Sequence, residues 1–194
     1  METRAIEVTE MMARVSRYAE LKPLQIQQTS PAPLEVLDLI YSRELLPVIG
    51  LEQGESALAD APPIRGAAGM TMTLARCPAG TGPGLHSHRE TFETFTVLQG
   101  RFEFSWGDAG EHSVLLDTFD TISIPPRCCR AFRNVSDEMG LVQVVITGGV
   151  HDMNDLDFHP EIGRSVSAAA PQFRRMLDER GIRFSAGLPD EGPA

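Results

Sequence analysis

Between Met70 and Thr147 the chain is a succession of short runs in which apolar and polar side chains alternate, each closed by turn residues. The alternation predicts strands at Met70–Arg76, Thr91–Leu98, Arg101–Trp106, His112–Leu116, Thr121–Ile124, Ala131–Val135 and Leu141–Thr147. Between Trp106 and Glu111, Gly107-Asp108-Ala109-Gly110 reads as a hairpin turn. Strands this short and this closely spaced point to an antiparallel sandwich or barrel.

Outside that block the period lengthens. Ile6, Val8, Met11, Met12, Val15, Tyr18 and Leu21 recur every three or four positions, which predicts an amphipathic helix over residues 1–22, stopped by Pro23. Gln27–Pro33 reads as a linker, and Leu34–Leu46 as an apolar helical segment ending before Pro47. Residues 51–66, with Pro62-Pro63, look irregular. Pro171–Arg180 is predicted as a helix with Phe173, Met176 and Leu177 on one face and Gly181 as its cap. From Ser185 on, the tail is small and polar and is expected to fray. The expected organisation is an N-terminal extension over 1–65, a barrel over 66–150 and a C-terminal extension with one helix over 151–194.

Composition narrows the function. A chain of 194 residues, 42% hydrophobic and 23% charged, has the make-up of an ordinary globular protein. Its 27 acidic residues outnumber 17 basic ones for a net charge of −10, which argues against nucleic acid or an anionic membrane surface as partner. No apolar run approaches the ~20 residues of a transmembrane helix. Glu7 and Glu10 would interrupt a secretory apolar segment, so a soluble cytoplasmic protein is expected. Cys77, Cys128 and Cys129 are too few and too oddly spaced for a disulfide framework.

The candidate chemistry lies in GTGPGLHSHRETFETFTVLQG, residues 80–100. On a strand, His86 and His88 project to one face. Glu93 follows across a turn, where a neighbouring strand can return its carboxylate to that face. Two imidazoles and a carboxylate are the ligands of a facial triad that suits Fe(II), and equally Mn, Ni or Zn. Nothing indicates an organic cofactor.

Gly80, His86, His88, Glu93 and Gly100 fill every fixed position of the first motif of the cupin superfamily: Gly, five residues, His-x-His, three or four residues, Glu, six residues, Gly. The chain thus resembles a single-domain, type-2-like cupin. The resemblance implies an all-β double-stranded β-helix (jelly-roll) barrel with a small-molecule site inside, to which the helices read from the periodicity add N- and C-terminal helical extensions. It also implies a homodimer, for which residues 1–22 and 34–46 are the expected contact elements. The second cupin motif is met by Asp120, Pro125 and Asn134, while Phe119 and Arg127 stand at its two glycines. Arg130 stands at its metal-binding histidine, and a guanidinium has no lone pair for a metal.

Two expectations follow for the site. In one, His86, His88 and Glu93 hold a divalent metal, and Arg130 anchors a small organic acid or aromatic-derived carboxylate for oxygenase- or isomerase-like chemistry. In the other, Arg130 fills the metal's place and pairs with Glu93, leaving a metal-free binding module. Strand alternation adds Phe95, Phe132, Asn134 and Cys128 to Arg130 as the expected substrate-binding set, with Cys129 facing outward. On the entry strand, either Met72 and Leu74 or Thr71 and Thr73 face inward. Phe102, Phe104 and Trp106 share a face, and His112 reads as a surface residue. His151, Asp152 and Asp155 form a polar segment, either a lid over the barrel mouth or a solvated connector.

Overall fold

The structure, a computed structural model, describes residues 4–51, 62–66, 69–148 and 153–188; His151 and Asp152 lie outside the described residues. Eleven strands are described: β1 (Glu44–Gly50), β2 (Ile64–Arg65), β3 (Met70–Cys77), β4 (His86–His88), β5 (Phe92–Gln99), β6 (Phe102–Trp106), β7 (His112–Leu116), β8 (Thr121–Ile124), β9 (Arg130–Asn134), β10 (Gly140–Thr147) and β11 (Leu156–Phe158). They form a six-stranded sheet in the order β2-β1-β3-β10-β5-β8 and a five-stranded sheet in the order β11-β4-β9-β6-β7. Helices α1 (Val8–Met12), α2 (Gln25–Thr29), α3 (Leu34–Ile40), α4 (Pro160–Ala169) and α5 (Pro171–Glu179) flank them. This is an all-β double-stranded β-helix barrel with helices at its ends.

The two sheets meet through their alternating inward residues. Ala75, Phe95, Val97, Val142 and Val144 from one sheet pack against Phe102, Phe104 and Phe132 from the other. Phe95 stands edge-on to Phe132 at 5.2 Å between ring centroids and 5.1 Å from Phe104. Burying each of these phenylalanines is worth roughly 1.5–3 kcal/mol. Register also fixes the phase of β3: Thr73 lies opposite Val144 and Thr71 opposite Ile146, so the threonines face inward and Met72 and Leu74 outward. A second core forms where α3, α4 and α5 close over Leu24 and Phe158.

Several expectations from the sequence change here. Among the described residues, 4–22 of the periodic segment form only the short α1 and a 3-10 turn at Tyr18–Glu20, and Val8, Met11, Met12, Val15 and Tyr18 stay exposed. An amphipathic period makes a long helix only when a surface packs beneath it, because short isolated helices are marginal in water. The supposed linker 27–33 begins within α2, and Gln27 pins it: its amide donates to the carbonyls of Ser42 (2.6 Å) and Arg43 (3.1 Å) and accepts from Leu45 N–H (2.8 Å). The 34–46 segment splits into α3 and the start of β1. Pro47 sits inside β1 beside a register shift between Pro47 and Ile49, where a missing N–H is tolerated.

Among the described residues at the C-terminal end there are two helices, α4 and α5, rather than one. His159 caps α4 by accepting from Glu161 N–H, and Pro160 supplies its first turn. The segment from Ser185 to Leu188 is docked rather than frayed: Asp157 accepts from the Ser185 N–H and hydroxyl and from Ala186 N–H. Strands β1 and β11 carry the sheets beyond residues 66–150.

Among the described residues, Phe119 (φ 75°) and Arg127 (φ 62°) alone of the non-glycines have positive φ. These are the two positions where the second motif has glycine. The backbone path of the motif is thus kept although its glycines are gone. At Arg127 that path brings the main-chain N–H to 2.6 Å from the His88 carbonyl.

Candidate functional site

Strand β4 lies between β9 and β11, and all three of its residues are buried. The chain reaches it along a glycine-rich approach pressed onto the sheet; a Cβ at Gly82 would lie 2.0 Å from the Phe132 carbonyl oxygen. His86 pairs with Arg130 of β9, and Glu93 enters from β5 of the opposite sheet, in phase with Phe95 and Val97. The site therefore spans the two sheets inside the barrel.

The imidazoles are held by their Nδ1 atoms. His86 Nδ1 lies 2.7 Å from the Gly84 carbonyl, which can only accept, so the proton is on Nδ1 and the Nε2 lone pair is free. Its ring stacks on Phe158 at 5.1 Å. His88 Nδ1 lies 2.8 Å from Asp155 Oδ2, and its Nε2 lies 3.6 Å from Glu93 Oε2. Arg130, 1% exposed, donates to Glu93 Oε2 from both Nε (3.1 Å) and Nη2, and its Nη1 faces the His86 carbonyl at 3.4 Å.

Burial and the Arg130 charge together push the His86 imidazole down to about 3, so it is a neutral donor near pH 7. Burial alone would raise Glu93, but the guanidinium beside it prevails and holds the carboxyl down at about 2. Asp155 is likewise held well below the usual carboxylate range: burial opposes this, and hydrogen bonds from His88, Thr91 and Glu90 N–H outweigh it.

A divalent metal, which the fold family implies, can be tested against this donor set. One ligand atom each from His86, His88 and Glu93 lies within 4.8 Å of the others, and all three residues are buried. A neutral imidazole with a free Nε2 and an ionised carboxylate are the species a metal requires. The set fits a three-residue centre. It does not fit a four-residue centre, because the fourth position carries Arg130.

Phe95 and Phe132 belong to the aromatic core. Asn134 is fully buried with its hydrogen bonding used up: its amide donates to the Cys77 and Glu138 carbonyls (2.8 and 2.7 Å) and accepts from the Ser136 N–H and hydroxyl (3.0 and 2.6 Å). Cys128 and Cys129 precede β9, so strand alternation does not govern them. Cys129 is buried, and Cys128 is half-buried and packs against the barrel core. Trp106, in phase with Phe102 and Phe104, is only half-buried and packs on exposed His112 at 5.7 Å. A cleft of about 390 Å³ lined by Glu103, Ser105, Ser113, Ala131 and Arg133 lies on the outward-facing positions of β6, β7 and β9; neither His86, His88, Glu93 nor Arg130 lines it. Asp155 is the residue that the sequence placed least well: it is 4% exposed and bonded to His88, not solvated as a connector would be.

Residues 73–147 match the family model described as the cupin domain. With the barrel and the placement of His86, His88 and Glu93, the match makes residues 73–147 a cupin domain. No curated protein matches the chain. Among solved structures it is similar to one described under DMSP lyases, at 20% identity and a TM-score of 0.46, covering 59% of this chain and 51% of that one. It thus spans about half the length of that relative. It is also similar to a conserved protein with a double-stranded β-helix domain from Klebsiella pneumoniae (20% identity, TM-score 0.39, 42% and 70% covered). A cupin protein from Bacteroides fragilis is similar at 25% identity (TM-score 0.39, 42% and 68% covered). Among the described residues no helix is long and apolar enough to cross a membrane.

Proposed function

We propose that the protein is a small-molecule cupin whose site inside the barrel holds a divalent cation on His86, His88 and Glu93 and receives a small organic acid on Arg130. The observation that carries this reading is the convergence of three buried ligand atoms within 4.8 Å. A cation bound there supplies Lewis-acid polarisation of a carboxylate or enolate oxygen. The chain's own residues do the rest. Arg130 presents a fixed, unneutralisable charge. Three of its five N–H donors face Glu93 and the His86 carbonyl, and among the described residues two remain for an incoming carboxylate. Phe95 and the aromatic core beneath close the apolar side of the site, which favours an aromatic or short-chain acid over a highly polar one.

The contact between Arg130 and Glu93 favours a second reading, a metal-free binding module in which this pair is the resting state of the pocket. Elemental analysis separates the two. Protein purified without added metal, then equilibrated with Fe(II), Mn(II), Ni(II) or Zn(II) and desalted, should retain close to one equivalent of one of them. His86→Ala should lose it. If no ion is retained by the unsubstituted chain, the metal-dependent reading fails and the metal-free one stands.

A further inference from the structure

The C-terminal extension braces the histidine strand, and one of its side chains reaches the site. Strand β11 runs antiparallel to β4, with Leu156 opposite His88 and Phe158 opposite His86. Immediately before β11, Asp155 turns inward. Its Oδ1 accepts from Glu90 N–H at 2.8 Å, and its main-chain carbonyl accepts from Arg89 N–H at 2.9 Å. Its Oδ2 accepts the Thr91 hydroxyl at 2.5 Å and faces His88 Nδ1 at 2.8 Å, while Thr91 Oγ1 lies 2.9 Å from the same nitrogen.

The hydroxyl has one proton, and its shortest contact is with Asp155. Both oxygens near His88 Nδ1 are then acceptors. An unprotonated Nδ1 would set its lone pair against theirs, inside the protein and away from water. A protonated Nδ1 satisfies all three groups. We infer that Asp155, supported by Thr91, is the positioning residue of this site: it fixes a His88 proton on Nδ1 and so turns Nε2 toward Glu93. His86 owes the same tautomer to a main-chain carbonyl, so a side-chain change at 155 acts on one ring only.

The inference rests on the proposed function only in taking Nε2 as the atom offered to a ligand; the tautomer itself is a property of the metal-free chain. The test is a long-range proton–nitrogen NMR spectrum of metal-stripped protein labelled with 15N-histidine, together with zinc titration. In the unsubstituted chain His86 and His88 should both be protonated on Nδ1. In Asp155→Asn the amide places an N–H donor toward Nδ1, so His88 should shift to the Nε2-protonated form while His86 stays unchanged. Zinc affinity should fall about 10- to 100-fold. Thr91→Val removes the hydroxyl but keeps the carboxylate, and should leave the tautomer as it was. His88 protonated on Nε2 in the unsubstituted chain, a result that needs no variant to fold, overturns the inference; so does an Asp155→Asn protein with the tautomer and zinc affinity unchanged. A tautomer that switches in a protein that binds no zinc upholds Asp155 as positioning residue and removes only the metal reading.

Discussion

Arg130 and Glu93 meet on a single oxygen: the Nε and Nη2 groups of the guanidinium both donate to Oε2, in a pair whose side chains are 1% and 9% exposed. One residue comes from each sheet, so the pair ties the two halves of the barrel at the point where the histidines converge. It also shapes the electrostatics of the site: the guanidinium keeps Glu93 ionised against burial, and it adds to the burial that keeps His86 neutral.

Neither charge can be removed alone without leaving the other buried and unpaired. Arg130→Leu and Glu93→Gln are each expected to cost about 3–5 kcal/mol of unfolding free energy, while the Arg130→Leu/Glu93→Leu double variant recovers most of the loss. Urea titrations of the four proteins check this. Single-variant costs below about 1 kcal/mol would mean that the pair is solvated or open in solution.

Arg130→His exchanges a fixed charge for an imidazole at the position where the second motif carries its metal-binding histidine. A donor is gained and a repulsion lost, so zinc affinity should rise at least about tenfold, equivalent to about 1.4 kcal/mol. Isothermal titration calorimetry reads this directly. Unchanged or weaker binding places the metal, if one binds, away from Arg130.

His86 at about 3 and Glu93 at about 2 both lie below their unfolded values of roughly 6.5 and 4.3. In each case the unfolded chain takes up the proton more readily than the folded one. The stability from these groups is therefore complete above about pH 6.5 and is lost as the pH falls. The loss begins with His86 at up to about 1.4 kcal/mol per pH unit, and steepens below about pH 4.3 as Glu93 joins. Urea midpoints measured from neutral pH downward should follow that course. A profile flat from neutrality down to about pH 4 would contradict the burial of a neutral His86.

Phe119 is 78% exposed in a left-handed backbone conformation that costs a bulky residue roughly 1–2 kcal/mol. Phe119→Gly should raise stability by about 0.5–1 kcal/mol, with part of the relief cancelled by the greater freedom of glycine when unfolded. Thermal unfolding measures it. Destabilisation would mean that the exposed ring makes a contact in solution.

How much of this was legible in the sequence depended on the range of each interaction. His86 and His88 share a face because alternation acts within one strand, and Glu93 follows within a few residues. Arg130 could be placed because motif spacing counts residues along a fixed backbone path. That path persists even where Phe119 and Arg127 replace its glycines. Asp155 could not be placed so. Its partner His88 is 67 positions away, and the contact exists only because β11 pairs with β4. Alternation has no hold on Cys128 and Cys129, because the strand begins only at Arg130. Pro47 suggested a helix end but lies inside β1, and among the described residues Val8, Met11, Met12, Val15 and Tyr18 stay exposed, so the apolar period does not build one helix.

Anomalous diffraction from crystals soaked in zinc addresses the metal site at the level of atoms. The expected result is one ion inside the barrel, about 2.0–2.1 Å from the Nε2 atoms of His86 and His88, with a Glu93 oxygen at a similar distance and Arg130 alongside. A site without an ion at saturating zinc, with the Arg130 guanidinium still seated on Glu93, would contradict the metal-binding cupin proposed for this chain.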